Sequence, residues 1–439
     1  MSYYDREVET LTRKEINELQ FDRLKWQALR CYESPFYRDK WDAVGFSPRH
    51  LQNLSGVANI PFVTKDELRL EQAKFPPFGR FVVGPRETWR EIHPSSGTTG
   101  NPVYTIWGED DIANITDVTA RTMWSFGVRP GDIIQNAFSY GLWVAGMSAH
   151  YAAGRLGCLV IPIGAQLTNK QIEFIVGAGS TVLLCTPSYS VHIAERIAEA
   201  GISPDDTALR LGCFGGEGGT ENPGTRSKIE RGLGISAYDY YGIAELGPTF
   251  ASECTEKAGL HWAEDHYYVE VVDPGTKMPC SEGETGVLVI THLTRQTTPM
   301  VRYWTNDMAR VVHEPCRCGR THARSPGGIL GRSDDLVIYK GAKFYPLQVE
   351  KVVRSFTELS SEYRVELACD EVGHDVCTVV VEEVAALAPS VRESFRKALR
   401  EEILVTPEIR VQPFGTLERT AFKAKRLFDL RHTTVASPD

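Results

Sequence analysis

Residues 181–219 read TVLLCTPSYSVHIAERIAEAGISPDDTALRLGCFGGEGG, and this stretch decides the fold. Val182–Cys185 is a short apolar run of the kind a buried strand needs. Ser190–Ala200 repeats its apolar residues at helical spacing, and Leu209–Phe214 is a second strand-like run. A strand, a helix and a strand of these lengths make a βαβ unit, which implies a parallel sheet covered by helices. The unit ends on Phe214-Gly215-Gly216-Glu217-Gly218-Gly219. Ligands of such sheets bind at the carboxyl ends of the strands, so Gly215, Gly216 and Glu217 are candidate binding residues.

The same alternation continues upstream. A helix is expected at Asp111–Phe126, a strand at Ile133–Ala137, a helix at Trp143–Arg155, a strand at Cys158–Pro162 and a helix at Lys170–Val176. Nearer the N-terminus, residues 15–33 read as an amphipathic helix stopped by Ser34-Pro35. Thr64, with Glu67 three residues on, reads as a capping box. Downstream, from about 265 to 312, the pattern turns to strands, at Tyr267–Val272, Gly286–Thr291 and Ala309–His313. Beyond Gly331 a mixed section follows. Helices are expected there at Pro346–Ser355 and Val391–Glu401, and strands at Arg364–Ala368 and Cys377–Glu382, with a frayed end from about Thr433. Gly328, Gly331 and Arg332-Ser333-Asp334-Asp335 make a polar, glycine-flanked joint, either a surface turn or a hinge.

Bulk properties narrow the class. A chain of 439 residues is too long for one ordinary core, so two or three folding units are expected. Its 42% hydrophobic and 24% charged residues are those of a soluble globular protein. The net charge of −9 and the lack of a basic stripe argue against a nucleic acid partner. No apolar run is long enough for a membrane span, and the opening MSYYDREVETLTRKEINELQ has no apolar signal core. Ten cysteines are too dilute for a disulfide scaffold, so a cytoplasmic location is expected.

Three common signatures are missing: GxxxxGK[ST], GxGxxG after a strand, and GxSxG. P-loop, classical NAD and serine hydrolase readings are therefore disfavoured. What stands instead, at residues 90–104, is REIHPSSGTTGNPVY. Ser95, Ser96, Thr98 and Thr99 offer four hydroxyls, and Gly97 and Gly100 let the backbone turn tightly. That composition suits either a plain polar loop or an anion grip. Tyr240-Tyr241-Gly242-Ile243-Ala244-Glu245 follows a strand-like run. Glu245 is a candidate Mg²⁺ ligand, and the rings beside it can stack on a base or close an acyl pocket. Asp307, in Arg302-Tyr303-Trp304-Thr305-Asn306-Asp307, can accept bonds from ribose hydroxyls or serve as a cap. Residues 415–426, GTLERTAFKAKR, carry four cations in their last eight residues. They are either a solvated charge run or the source of a lysine that stabilises negative charge during acyl attack on a phosphate. Cys316-Arg317-Cys318-Gly319 places two thiols one residue apart, with Cys254 and His261 upstream in ECTEKAGLH. Together these make a Cys₃His set for tetrahedral zinc, or else buried apolar cysteines and a surface histidine. His322 and Cys280 are the substitute ligands. His266 is read as a structural histidine rather than a contact of pantetheine or acyl group.

Taken in order, these pieces resemble the phenylacetate–coenzyme A ligase family, within the adenylate-forming ligases. The similarity runs from about residue 10 to the end. It includes RLKWQALRCYESPFYRDKWDAVG, SYGLWVAG, RLGCLVIPIG, TPSYSVHIAE, AEDHYYVEVVDP and GRSDDLVIYKGAKFYPLQVE. The resemblance implies an α/β fold with a large adenylate-forming domain over residues 1–331. This domain would have parallel sheets flanked by helices and a β-rich subdomain. A small mobile α+β lobe would span 332–439 and carry the hinge and the catalytic lysine. It implies that ATP and an aromatic or arylacetic acid form an acyl-AMP and pyrophosphate, after which coenzyme A displaces AMP. Ser95–Gly100 then matches the phosphate loop, Glu245 the Mg²⁺-linked acid, Asp307 the ribose acid, Arg332 a ribose or phosphate contact and Asp334 the hinge. Lys423 matches the adenylation lysine, with Lys425 the neighbour most easily confused with it. Gly215, Gly216 and Glu217 match the adenine and acyl lining, joined by Tyr240, Tyr241 and Gly242. Tyr140, Gly141 and Trp143 resemble the acyl-pocket wall. Some relatives carry CxCGRTH, which implies a structural zinc. A homodimer is compatible with the resemblance.

The chain departs from the family pattern at several places. Asn101 replaces the lysine of SSGTTGKP, Gly218-Gly219 replaces a proline and an aromatic, RYRT reads RYWT with Trp304, and Lys340 lies in IYKGAK. The Gly218-Gly219 change points to a larger or differently shaped acyl group. Two other functions remain open: adenylation with transfer to a carrier protein or amine, and a non-catalytic binding protein with a ligase fold. Glu245, Asp307, Arg332 and Lys423 argue against the last.

Overall fold

A computed structural model describes residues 3–95, 101–142, 144–165, 167–340, 342–370, 374–418 and 426–431. The βαβ unit read from the sequence lies inside an eight-stranded sheet. Five of its strands run parallel: Leu159–Ile161, Ile133–Asn136, Val182–Cys185, Leu211–Phe214 and Ser236–Ile243. Every residue of Val182–Cys185 and Leu211–Phe214 is buried, as strands covered on both faces should be. The covering helices are Val144–Arg155, Thr168–Gly177, Pro187–Glu199 and Pro223–Leu233, the last not anticipated from the sequence. The sheet then turns antiparallel through Gly247–Ser252, Leu260–Trp262 and Arg324–Ser325.

A second sheet holds Tyr267–Val272, Gly286–His292, Tyr303–Ala309 and Gly331–Arg332, all antiparallel. Here one expectation is corrected. The third strand is Tyr303–Ala309, not Ala309–His313. Arg302 and Asn306 adopt positive φ values of 49° and 66°. Such kinks obscure the period of two by which a strand is recognised. Over residues 310–313 the only ladder contact among the described residues is a bridge from Val312 to Arg324. Ser34-Pro35 both ends one helix and starts the next, because Ser34 is the N-cap and Pro35 the first residue of Pro35–Asp42. The capping box at Thr64 is present: Glu67 N donates to Thr64 Oγ1 at 3.3 Å and Thr64 N to Glu67 Oε2 at 2.8 Å.

The C-terminal α+β lobe has a four-stranded sheet in the order Glu408–Pro413, Asp375–Glu383, Leu359–Cys369, Leu427–Asp429. Helices Pro346–Ser355 and Pro389–Ile403 pack on it. The lobe leans on the larger part through helix Pro346–Ser355. Arg354 Nη1 donates to Thr225 Oγ1 at 3.0 Å, and Lys228 Nζ to Leu359 O at 3.5 Å.

A buried charge group ties helix Glu109–Phe126 to the start of the second sheet. Arg121 Nη2 donates to both Asp265 oxygens at 3.0 and 3.2 Å, and Asp265 Oδ2 lies 3.3 Å from His266 Nε2. His266 Nδ1 pairs with Thr294 Oγ1 at 2.8 Å, which makes it a structural histidine, as expected. Burial pushes His266 down to about 4, with Asp265 opposing and Arg121 and Arg23 adding to the depression. An unfolded His266 takes up its proton near pH 6.5, whereas the folded one stays neutral until about 4. Stability should therefore fall as pH drops from about 6.5 toward 4, with a slope on the order of one proton from this group. His292, also depressed by burial, adds to it. In thermal melts over that range, His266→Gln should show a shallower slope than the wild type; an equal slope contradicts the assignment.

Candidate active site

The site grows from the junction of the two sheets. Strand Ser236–Ile243 carries Tyr240, Tyr241 and Gly242, and the tight turn to Gly247–Ser252 carries Glu245. Leu246 O accepts from His292 Nε2 and Arg295 Nη2, both at 2.6 Å, and from Tyr267 OH at 3.3 Å. Three donors on one carbonyl fix the turn and hold Glu245 in place. Glu245 is buried, and Lys65 Nζ lies 2.8 Å from its Oε1, an ion pair lacking hydrogen-bond alignment.

Asp307 lies across from it in strand Tyr303–Ala309. Tyr241 OH donates to Asp307 Oδ2 at 2.6 Å, and Arg332 Nη1 lies 3.1 Å from Oδ1. Arg332 and Asp307 are also register partners in the ladder. Arg332 then grips Asp334 with Nε and Nη2, at 2.9 and 2.7 Å. Burial works to lower the Arg332 pKa, but its bond to Asp334 and the charge of Asp307 outweigh burial and raise it. Burial likewise lifts the Tyr241 hydroxyl well above its ordinary range, and Asp307 adds to the rise, so it stays a donor. Tyr303 is raised by burial and then by the charges of both Glu245 and Asp307.

The phosphate-loop motif begins from a pinned base. Pro94 faces Tyr104 in the ribbon of Trp89–Pro94 with Tyr104–Gly108. Ser95 N donates to Val103 O at 2.8 Å and Val103 N to Ser95 Oγ at 3.0 Å. Ser96, Gly97, Thr98, Thr99 and Gly100 lie outside the described residues, as do Trp143, Lys423 and Lys425. Helix Lys65–Lys74 bridges this loop to Glu245. Lys65 pairs with Glu245, while Arg69 Nε donates to Asn101 O at 3.1 Å and Gln72 Nε2 to Pro102 O at 3.0 Å. The sequence showed this helix only as a capped start, and no motif marked Lys65.

Gly215 follows Leu211–Phe214 at the carboxyl edge. A Cβ there would stand 2.7 Å from the Tyr240 ring and 2.9 Å from Tyr240 O, so only glycine allows this approach. Glu217 Oε1 accepts from Ser188 N at 2.8 Å, capping helix Pro187–Glu199 beside Gly216. Tyr140 is half-buried, with Asn136 Nδ2 donating to its hydroxyl at 2.8 Å and His150 Nδ1 3.2 Å away. Gly141 follows with a φ of 84°, and Leu142 O meets His93 Nδ1 at 3.3 Å. Lys340 stands apart, exposed on a turn with its ammonium over the Tyr339 ring.

The four metal candidates converge. Cys254, His261, Cys316 and Cys318 bring their ligand atoms within 4.8 Å of one another. Cys254 Sγ is 3.8 Å from Cys316 Sγ, and Cys318 Sγ is 3.7 Å from His261 Nε2. Sulfurs about 2.3 Å from a central zinc lie roughly 3.8 Å apart at tetrahedral corners, so the donor set fits that ion. The Cys254 thiol beside Cys318 holds the Cys318 thiol well below its ordinary range, against burial, and its own rises. His322 is not a substitute ligand: its ring nitrogens meet Trp262 O at 2.9 Å and Val8 O at 3.0 Å. Cys280 lies against Gly286 in the second sheet, away from the cluster.

A parallel sheet with glycines at its carboxyl edge, two buried acids and a small C-terminal lobe is the arrangement expected of an adenylate-forming ligase. The description "AMP-binding enzyme C-terminal domain" matches residues 341–431. The phenylacetate–coenzyme A ligase of Thermus thermophilus is 37% identical over 98% of this chain and 99% of its own. That of Escherichia coli is 36% identical over 97% of each. A crystal structure of 2-hydroxyisobutyryl-CoA ligase in its postadenylation state is 29% identical, with a TM-score of 0.91 over 98% of this chain and 92% of that one. The same ligase in its thioesterification state, 30% identical over 98% and 93%, gives 0.74. The chain belongs to the phenylacetate–coenzyme A ligase family. It is an ATP-dependent ligase that forms an acyl adenylate and passes the acyl group to coenzyme A. Among the described residues, no helix is long and apolar enough to cross a membrane.

The shared carboxylate of Asp307 yields a direct test. Tyr241→Phe removes one charge-assisted bond to a buried carboxylate, at a cost of about 1.5–3 kcal/mol. Urea denaturation should show a loss of that size; an unchanged midpoint would mean the bond contributes nothing.

Proposed function

We propose that the acid activated is aromatic or arylacetic, and that the residues gathered here carry its adenylation. The observation that carries this reading is the pair of buried carboxylates, Glu245 and Asp307, with Glu245 paired to the helix that also holds the carbonyls of Asn101 and Pro102 after the phosphate-loop motif. Glu245 has the chemistry of a Mg²⁺ ligand, and Mg²⁺ when bound supplies charge neutralisation on the phosphates. Asp307, held by Tyr241 and Arg332, accepts from the ribose hydroxyls. Ser95–Gly100 binds phosphate. Tyr140, Gly141 and Trp143 wall the acyl group, and the rings at Phe138 and Tyr240 suit an aromatic one.

A carboxylate does not surrender an oxide leaving group, so it must attack the α-phosphate and expel pyrophosphate. Negative charge builds on phosphorus oxygens in that step, and Lys423 is the cation that stabilises it. The lobe over 332–439 then turns about Asp334 to admit coenzyme A. Support for this comes from the better match to the postadenylation state than to the thioesterification state. A cytoplasmic location accords with this chemistry.

Lys423→Ala should lose about 3 kcal/mol or more of transition-state stabilisation, a drop of roughly a hundredfold in pyrophosphate release. Lys425→Ala should lose far less. Across a panel of aromatic and aliphatic acids, mass detection should find the CoA thioester of arylacetic acids formed fastest; a preference for short aliphatic acids overturns the aromatic reading.

We also propose that Cys254, His261, Cys316 and Cys318 hold a structural zinc, since four protein ligands leave no open position. Metal analysis should return about one zinc per chain, and Cys318→Ser should lose it. Chelation should lower the melting temperature. Protein without stoichiometric zinc and indifferent to chelation contradicts this.

A further inference from the structure

An enclosed cavity lies behind the rings of Phe138 and Tyr240, between helices Glu109–Phe126 and Val144–Arg155 and the large sheet. It has room for about one water-sized group. The two rings meet edge to face, with centroids 6.2 Å apart. Tyr240 also packs on Gly215, and Phe138 stands two residues before Tyr140, so two residues of the cavity lining neighbour the proposed acyl-pocket wall.

Its lining is unusual for such a place. Thr119, Thr122, Ser148 and Thr249 bring four aliphatic hydroxyls beside the phenol-bearing Tyr240, and no charged residue lines it. Ser148 is satisfied within its own helix, donating to Val144 O at 2.7 Å. Thr119 is not satisfied: it is 4% exposed and its Oγ1 has no hydrogen-bond partner. A helical threonine ordinarily returns its hydroxyl to the preceding turn, and a buried hydroxyl left unpaired is unfavourable. An orphan hydroxyl facing a space of one polar group marks a position for a partner from outside the chain.

We propose that this cavity is the distal end of the acyl pocket and receives a neutral hydroxyl on the ring of the acid, with Thr119 as its hydrogen-bond partner. The substrate class is then hydroxyaryl acetic acids. The absence of charged lining disfavours a second carboxylate or an ammonium group. The proposal rests on the arylacetic reading above and adds the substituent to it.

The test compares kcat/KM for CoA thioester formation with phenylacetate and with its 3- and 4-hydroxy and 3- and 4-methyl derivatives. A methyl group matches the hydroxyl in size and lacks its hydrogen bond. The wild type should favour one hydroxy acid over its methyl counterpart by about tenfold or more. Thr119→Val, which keeps the side-chain shape, should bring that ratio close to one, and Thr119→Ser should retain it. A wild type without hydroxyl preference overturns the proposal, whether or not the variants fold. So does a ratio unmoved in Thr119→Val, the result expected if the cavity holds only a water. Turnover of aromatic acids without hydroxyl preference leaves the arylacetic reading standing. Failure of every aromatic acid while aliphatic acids react removes both.

Discussion

The carboxylate of Asp307 joins three parts of the molecule that the chain keeps far apart. One oxygen takes the Tyr241 hydroxyl from the large sheet, and the other takes Arg332, whose remaining nitrogens hold Asp334. A buried charge is tolerable only when it is paired and hydrogen-bonded. That requirement fixes how the second sheet sits on the first, and it brings Arg332 to the same point. The positive φ at Asn306 follows from the same constraint. The strand must kink to present Asp307 while Asn306 Nδ2 reaches Asp334 Oδ2 at 3.2 Å.

Glu245 is held by a different device. Its own carboxylate has few fixed partners, so its position comes from the backbone of the turn. Three side chains converge on Leu246 O, and Lys65 supplies the compensating charge. Helix Lys65–Lys74 couples this turn to the Asn101-Pro102 segment, because Arg69 and Gln72 hold the carbonyls of those two residues.

What the sequence made legible follows the reach of each signal. The parallel core was readable from 181–219 because fully buried strands are apolar along their whole length. The capping box at Thr64 and the helix at Pro346–Ser355 were readable because their cues lie within a few residues. Strand Tyr303–Ala309 was displaced because two residues with positive φ break its alternation. The metal cluster was legible only as a set of residue types, since Cys254 and Cys316 meet through the pairing of Leu260–Trp262 with Arg324–Ser325. Lys65, His292 and Arg295 were invisible as site residues. Their roles come from distant contacts with one turn, and nothing local to them marks those contacts.

The glycines at 218 and 219 have a structural use beside the one the sequence suggested. Part of the space they leave goes to the protein itself. A Cβ on Gly219 would stand 2.8 Å from Arg354 Nη1 and 2.9 Å from Pro187 Cβ. Arg354 comes from the C-terminal lobe, is buried, and lies 2.7 Å from Glu350 Oε1. Glu221, two residues after Gly219, faces the same arginine. Burial pushes it up to about 7, with a backbone bond from Gly219 opposing and the charge of Glu350 adding to the rise. Apolar packing here would reward closure alone. Arg354 and Glu350 instead bury charges at this contact, and the cost of taking them out of water offsets part of the attraction between the surfaces. Gly219 leaves the room in which Arg354 makes that contact.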